Sequence, residues 1–218
     1  MKHLFLVLFL FKFYELPAQD STYIKVHFWY GSKPARGFKN TESKYFGGLH
    51  GGHVTIQFGD TTIGFSPKKG ARVFAKKSHS NGMHHIEQPL QFSFDSTDDR
   101  QSTIFIPVHK NDIPLLKKLA ESYLETTPYD YALFGMRCAS SAHEFLSVAG
   151  IFKERSKLFS VFYNFYPKKL RKRLYDIAFE NGYKIIYQDG RKERKWEGDK
   201  KRHRERLNSI FIENKNTN

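Results

Sequence analysis

The 218-residue sequence holds one cysteine, Cys138, so no disulfide within the chain can staple its fold. Long apolar runs are missing as well. The unbroken stretch Leu4–Phe11 has eight residues, whereas a membrane-spanning helix needs about 20. Acidic residues are outnumbered, 22 Asp and Glu against 36 Lys and Arg, for a formal charge of +14. No internal repeat with a period of about 20–50 residues is visible, which argues against a solenoid. The glycine patterns that cradle phosphates or dinucleotides are absent, and no serine sits in a Gly-x-Ser-x-Gly elbow. The ten histidines include no His-x3-His pair and have no accompanying pair of cysteines, so no metal site and no cofactor are expected.

Among what is present, 21 Phe and 12 Tyr within a hydrophobic fraction of 39% are enough to build a core and argue against disorder throughout. Lys2 and His3, then Leu4–Phe11, then the break at Leu16-Pro17-Ala18 have the layout of an export signal over residues 1–18, interrupted early by Lys12. A buried first helix is the alternative. No cysteine follows the run, so no lipid anchor is expected at that point. The sequence thus reads as exported, periplasmic or secreted. Its positive charge is interleaved with acidic residues and thickens only in Lys168–Arg173 and Arg191–Arg206. For an exported chain that favours an anionic envelope polymer or a membrane surface over nucleic acid; a merely solvated basic face is the plain alternative.

Periodicity predicts a strand over Tyr23–Tyr30 and a glycine-rich loop over Gly31–Gly52. A hairpin follows, with arms His53–Phe58 and Thr62–Phe65, and then a strand over Ser102–Val108. Residues 68–101 read as irregular, with short strands near Val73 and Phe92–Phe94. Helices are expected from Asp112 to about Thr126, from Cys138 to Val148 and from Pro167 to Asn181, the last stopped by Gly182. Tyr183–Tyr187 and Lys192–Trp196 suggest a closing hairpin. The expected class is α+β, a small antiparallel sheet packed on helices. The core spans residues 19–150 and a helix–hairpin extension spans 151–199. A charged tail over 200–218 carries little core.

Cys138 sits at a predicted helix N-terminus, where free N–H groups and the helix dipole favour a thiolate. Arg137 adds positive potential. Ser140 and Ser141, with Ala139, leave room for a substrate carbonyl, and all three polar neighbours are candidate substrate contacts. A buried cysteine on the helix's apolar face is the alternative reading. A thiol nucleophile needs a base within reach. His53 opens a strand directly after Gly51-Gly52, and His50, just before those glycines, is the rival.

The segment His53-Val-Thr-Ile-Gln-Phe-Gly-Asp-Thr-Thr-Ile-Gly-Phe-Ser-Pro67 resembles the His strand–turn–strand block of NlpC-type cysteine hydrolases. Cys138-Ala-Ser-Ser-Ala-His-Glu-Phe resembles their cysteine helix. Ordinary members place cysteine before histidine. The reversed order here is similar to the circularly permuted branch that includes lecithin retinol acyltransferase-like enzymes. The resemblance covers residues 45–150 and implies a permuted papain-like core, with Cys138 as nucleophile and His53 as base. It also implies acyl transfer on an amide, ester or thioester, with a peptide, glycopeptide or acyl substrate. The family usually sets a third polar residue, often His, on the strand after the turn. The matching positions here are Gly64 and Phe65, so Ser66, Gln57, His79 or Glu87 must substitute if the imidazole is oriented at all.

Overall fold

The computed structural model describes residues 22–30, 52–70, 72–87, 100–154, 156–189 and 199–216. Residues 1–18, His50 and the other residues of the 31–51 loop, the strand expected at Phe92–Phe94 and the arm Lys192–Trp196 lie outside them.

Strand β1 (Thr22–Trp29) turns Ile24, Val26 and Phe28 to one face, and all three are fully buried. It pairs antiparallel with β2 (His53–Phe58) on one side and β6 (Gln101–Val108) on the other. Alternation puts Val54, Ile56 and Phe58, and Ile104 and Ile106, on the same buried face. Strands β3 (Thr61–Pro67), β5 (Gly82–Ile86) and β8 (Ile185–Gln188) complete an antiparallel sheet ordered β5-β3-β2-β1-β6-β8. Two short strands, β4 (Arg72–Phe74) and β7 (Ala132–Phe134), pair parallel beside it.

Among the described residues five helices accompany the sheet, giving the α+β class the sequence implied. They are α1 (Asp112–Glu125), α2 (Cys138–Val148), α3 (Lys157–Tyr163), α4 (Pro167–Asn181) and α5 (Lys201–Asn216). Leu116 and Ala120 of α1, Phe145 and Leu146 of α2, and Leu170 and Leu174 of α4 join the sheet's inner face in one core. Phe145 stacks on Phe58 with ring centroids 6.1 Å apart, which fixes α2 across β2. Gly182 ends α4 at φ 67°, a left-handed cap that favours glycine. Among the described residues no helix is long and apolar enough to cross a membrane.

Five features depart from the sequence reading. Strand β5 forms within the stretch expected to be irregular, and β7 forms within the connector Tyr129–Arg137. Helix α3 was not expected. Strand β8 adds to the main sheet by pairing with β6. The last correction concerns the tail. Leu207 is fully buried and His203 nearly so, so α5 packs on the core through two residues that a charge count hides.

Candidate active site

Pairing between β2 and β3 runs from Phe58↔Thr61 to Ile56↔Ile63 and no further, although β2 begins at His53 and β3 continues to Pro67. The N-terminus of α2 meets the sheet at this place. Val54, beyond the end of the ladder, donates its backbone N–H to the Cys138 sulfur. A small cavity of about 10 Å³ beside the sulfur is bounded by Val54, Gly64, Phe65 and Phe145. That is room for about one water.

The His53 side chain is about a third exposed. Its imidazole hydrogen-bonds the Cys138 sulfur and, through Nε2, Glu87 Oε1 at 3.0 Å. Glu87 directly follows β5, and its backbone N–H donates to Thr62 O at 2.9 Å, which holds it beside β3. The same oxygen, Oε1, lies 2.9 Å from His85 Nε2, and the Trp29 ring lies 5.7 Å from the His53 ring. Cys138, His53, Glu87 and His85 therefore form one hydrogen-bonded chain.

Glu87 occupies the space the third residue's side chain would need. A Cβ on Gly64 would stand 1.9 Å from Glu87 Oε1 and 2.7 Å from its carboxyl carbon. The glycine at the matching position is thus what lets a carboxylate from the neighbouring strand cross β3 and reach the imidazole.

The electrostatics follow from this chain. Burial alone raises a thiol pKa, but the His53 hydrogen bond and charge, the Val54 N–H and the Arg137 charge pull that of Cys138 below the ordinary value. Burial alone lowers an imidazole pKa. Hydrogen bonds and charge from Cys138 and Glu87 outweigh it and push His53 up to about 10. Glu87 is disfavoured by burial, yet the two histidines hold it down at about 2. The shifts of the two groups both favour a thiolate paired with an imidazolium. The thiolate sits at the first residue of α2, where helix N–H groups have no intrahelical acceptor. Those N–H groups can also receive an oxyanion.

The other sequence candidates take different places. Gln57 Oε1 accepts from the buried His27 at 3.1 Å and so serves a second network rather than His53. Ser66 Oγ is 3.5 Å from His85 Nδ1, one step behind the carboxylate. His79 is exposed in the β4–β5 turn and is not among the partners of His53. Ser140 and Ser141 are buried, which corrects their reading as substrate contacts. Ser140 Oγ accepts from the Arg137 backbone N–H at 2.7 Å, capping the helix, and Ser141 Oγ bonds His84 Nε2 at 2.9 Å and Tyr129 OH at 3.0 Å. Arg137 is also buried, its guanidinium 3.7 Å from the centroid of the Phe165 ring. It acts on Cys138 through its charge. Tyr131 carried no sequence signal. Burial and the Cys138 charge both push its phenol upward, so it stays neutral near Cys138. Among the described residues no group of three or more His, Cys, Asp and Glu could hold a metal ion.

Comparison with known proteins adds no relative, since no family model, curated protein or solved structure matches this chain.

Proposed function

We propose that the chain is an exported thiol hydrolase that cleaves an amide bond, as in a cell-wall peptide or glycopeptide, on a permuted papain-like core. The observation that carries this reading is the hydrogen-bonded chain from Cys138 through His53 to Glu87 at a helix N-terminus. The Cys138 thiolate attacks the carbonyl carbon, forming a C–S bond, and backbone N–H groups at the start of α2 receive the oxyanion. Collapse breaks the C–N bond while His53 gives its proton to the leaving nitrogen. A water, deprotonated by His53, then attacks the thioester. The C–S bond breaks, the acid leaves and the thiolate returns. Glu87 orients the imidazole and stabilises its charge without touching substrate.

A second reading, acyl transfer or thioester hydrolysis on a lipid, uses the same steps. The aromatic surface near Met136, described below, favours it. The third, a non-catalytic module for an anionic polymer, uses the basic surface and leaves Cys138 idle.

A chromogenic acetyl ester tests the reading. It should leave an acetyl group on Cys138, visible as a mass increase that water slowly reverses. Iodoacetamide labelling near neutral pH should be fast in the native protein and slow in His53→Ala, because the thiolate loses its partner. Identical labelling rates in the two proteins would sink the enzyme reading.

A further inference from the structure

A cavity of about 270 Å³ opens between the β4–β5 segment, the β7 connector and α3, with Ala75, Lys76, Phe134, Met136 and Phe162 on its walls. Its rim exposes large apolar side chains: Val73 at 54%, Phe74 at 68%, Phe134 at 48% and Phe162 at 56%. Phe74 and Phe134 stack with ring centroids 5.6 Å apart, and Phe134 reaches Phe165 at 6.2 Å, so the rings form one continuous patch. Exposed rings gathered in this way mark a binding surface more often than a solvated one.

The charge around the patch is of one sign. Residues 61–86 contain Lys68, Lys69, Arg72, Lys76 and Lys77 and no Asp or Glu. The four lysines are exposed. On the other wall, helix α3 likewise holds no acidic residue. Among the described residues lining the cavity the one carboxylate, Asp130, is buried and spent. It accepts from the backbone N–H groups of Lys76 at 2.8 Å and Asn81 at 2.7 Å and pairs with Arg72 at 3.4 Å. Those bonds tie the β4–β5 segment to the connector, so the rings and lysines are presented on a fixed frame.

We propose that this face docks on an anionic lipid membrane, with Phe74, Phe134 and Phe162 entering the headgroup–acyl boundary and Lys68, Lys69, Lys76 and Lys77 meeting lipid phosphates. Aromatic rings ringed by lysines suit that boundary, because each ring is withdrawn from water while each ammonium stays in it. An anionic polymer offers the lysines a partner but no apolar layer for the rings, so the patch favours a bilayer. Met136, on the cavity wall, lies two residues before Cys138 in the chain. Docking itself does not depend on Cys138 being a nucleophile.

Co-sedimentation of the full chain with phosphatidylcholine vesicles, with and without phosphatidylglycerol, tests this. Binding should require the anionic lipid and fall with salt. Replacing Lys76 and Lys77 by Ser should weaken it about fivefold per charge removed. Phe74→Ser with Phe162→Ser should weaken it roughly tenfold per ring. Both variants change exposed side chains and should keep the native melting temperature, and the apolar run Leu4–Phe11 is common to all the proteins compared. Cys138→Ala should bind like the native chain, which separates docking from catalysis. Loss of binding in the lysine variant with none in the phenylalanine variant would assign the face to an anionic polymer and overturn the proposal. Equal binding by all variants would overturn it too.

Discussion

The crossing of Glu87 over Gly64 can be tested by one methyl group. In Gly64→Ala the new Cβ meets the end of a flexible side chain, so the fold should survive while the carboxylate leaves His53. Glu87→Gln removes the charge and keeps the shape. We expect each variant to lose acylation by roughly 10²-fold or more and to retain its melting behaviour near neutral pH. The pH profile separates orientation from bulk damage. Cys138 is depressed and His53 raised to about 10, so the native acylation rate should be flat through neutrality and fall as pH rises through about 10, where the imidazolium is lost. Without Glu87 that alkaline limb should move to lower pH; an unmoved limb would remove Glu87 from the mechanism. Linkage gives the matching stability terms. The raised His53 stabilises fully below the unfolded imidazole value and ceases to do so as pH rises through about 10. The depressed Glu87 stabilises above the unfolded carboxylate value and ceases to do so as pH falls through about 2. Cys138 and His53 were legible in the sequence because a helix N-terminus and a strand after glycines are local signals. Glu87 could only be named as one of four substitutes, since its partnership depends on β5 lying beside β3, a pairing between segments about twenty residues apart with no alternation to announce it.

At the scale of elements, the pieces that sequence periodicity found are those with one wet face and one dry face. Strands β1, β2 and β6 and helices α1, α2 and α4 all bury a regular stripe. The missed elements lack one. Strand β5 buries His84, whose ring is pushed down to about 3 by burial and by His85 and stays neutral between Phe65 and Tyr129. A histidine counted as polar is here a core residue, which hides the strand. Helix α4 also contains a buried charge, Arg171, whose guanidinium lies 3.5 Å from the Tyr30 ring centroid and pairs with the buried Asp199 at 3.2 Å. Asp199 accepts from Tyr30 OH at 2.6 Å as well. This triad ties β1, α4 and the approach to α5 together. Asp199→Ala takes the Asp199 carboxylate away from the buried Arg171, a change that costs about 3–5 kcal/mol. For a domain of this size that corresponds to a melting temperature lower by roughly 10 °C. A shift under about 2 °C would mean that water reaches Arg171 and that the triad does not hold the elements together.

For the molecule as a whole, the question is whether the C-terminal helix belongs to the fold. The composition of residues 200–210 argues against it, because cations dominate and apolar residues are few. The spacing argues for it, with His203 and Leu207 four residues apart on one face and both buried. His203 Nε2 donates to Asp176 Oδ1 at 2.7 Å, and its ring lies against Tyr175 and Phe179 of α4. Arg206 lies over the Phe179 ring, 4.2 Å from its centroid, covering apolar surface with its stem. Two buried side chains carry what the overall charge conceals, and a hydrophobicity average cannot register so narrow a stripe. Deleting residues 200–218 uncovers Leu207's place in the core and the Tyr175–Phe179 face together. Leu207→Ala alone should cost about 2–5 kcal/mol, so the deletion should lower the melting temperature by well over 10 °C or abolish soluble expression. Lys201→Ser with Arg204→Ser, which changes only exposed charges of the same helix, should leave it nearly unchanged. If the deletion melts within a few degrees of the full chain, α5 is an appendage, and the basic face it carries is free to serve a partner instead of the fold.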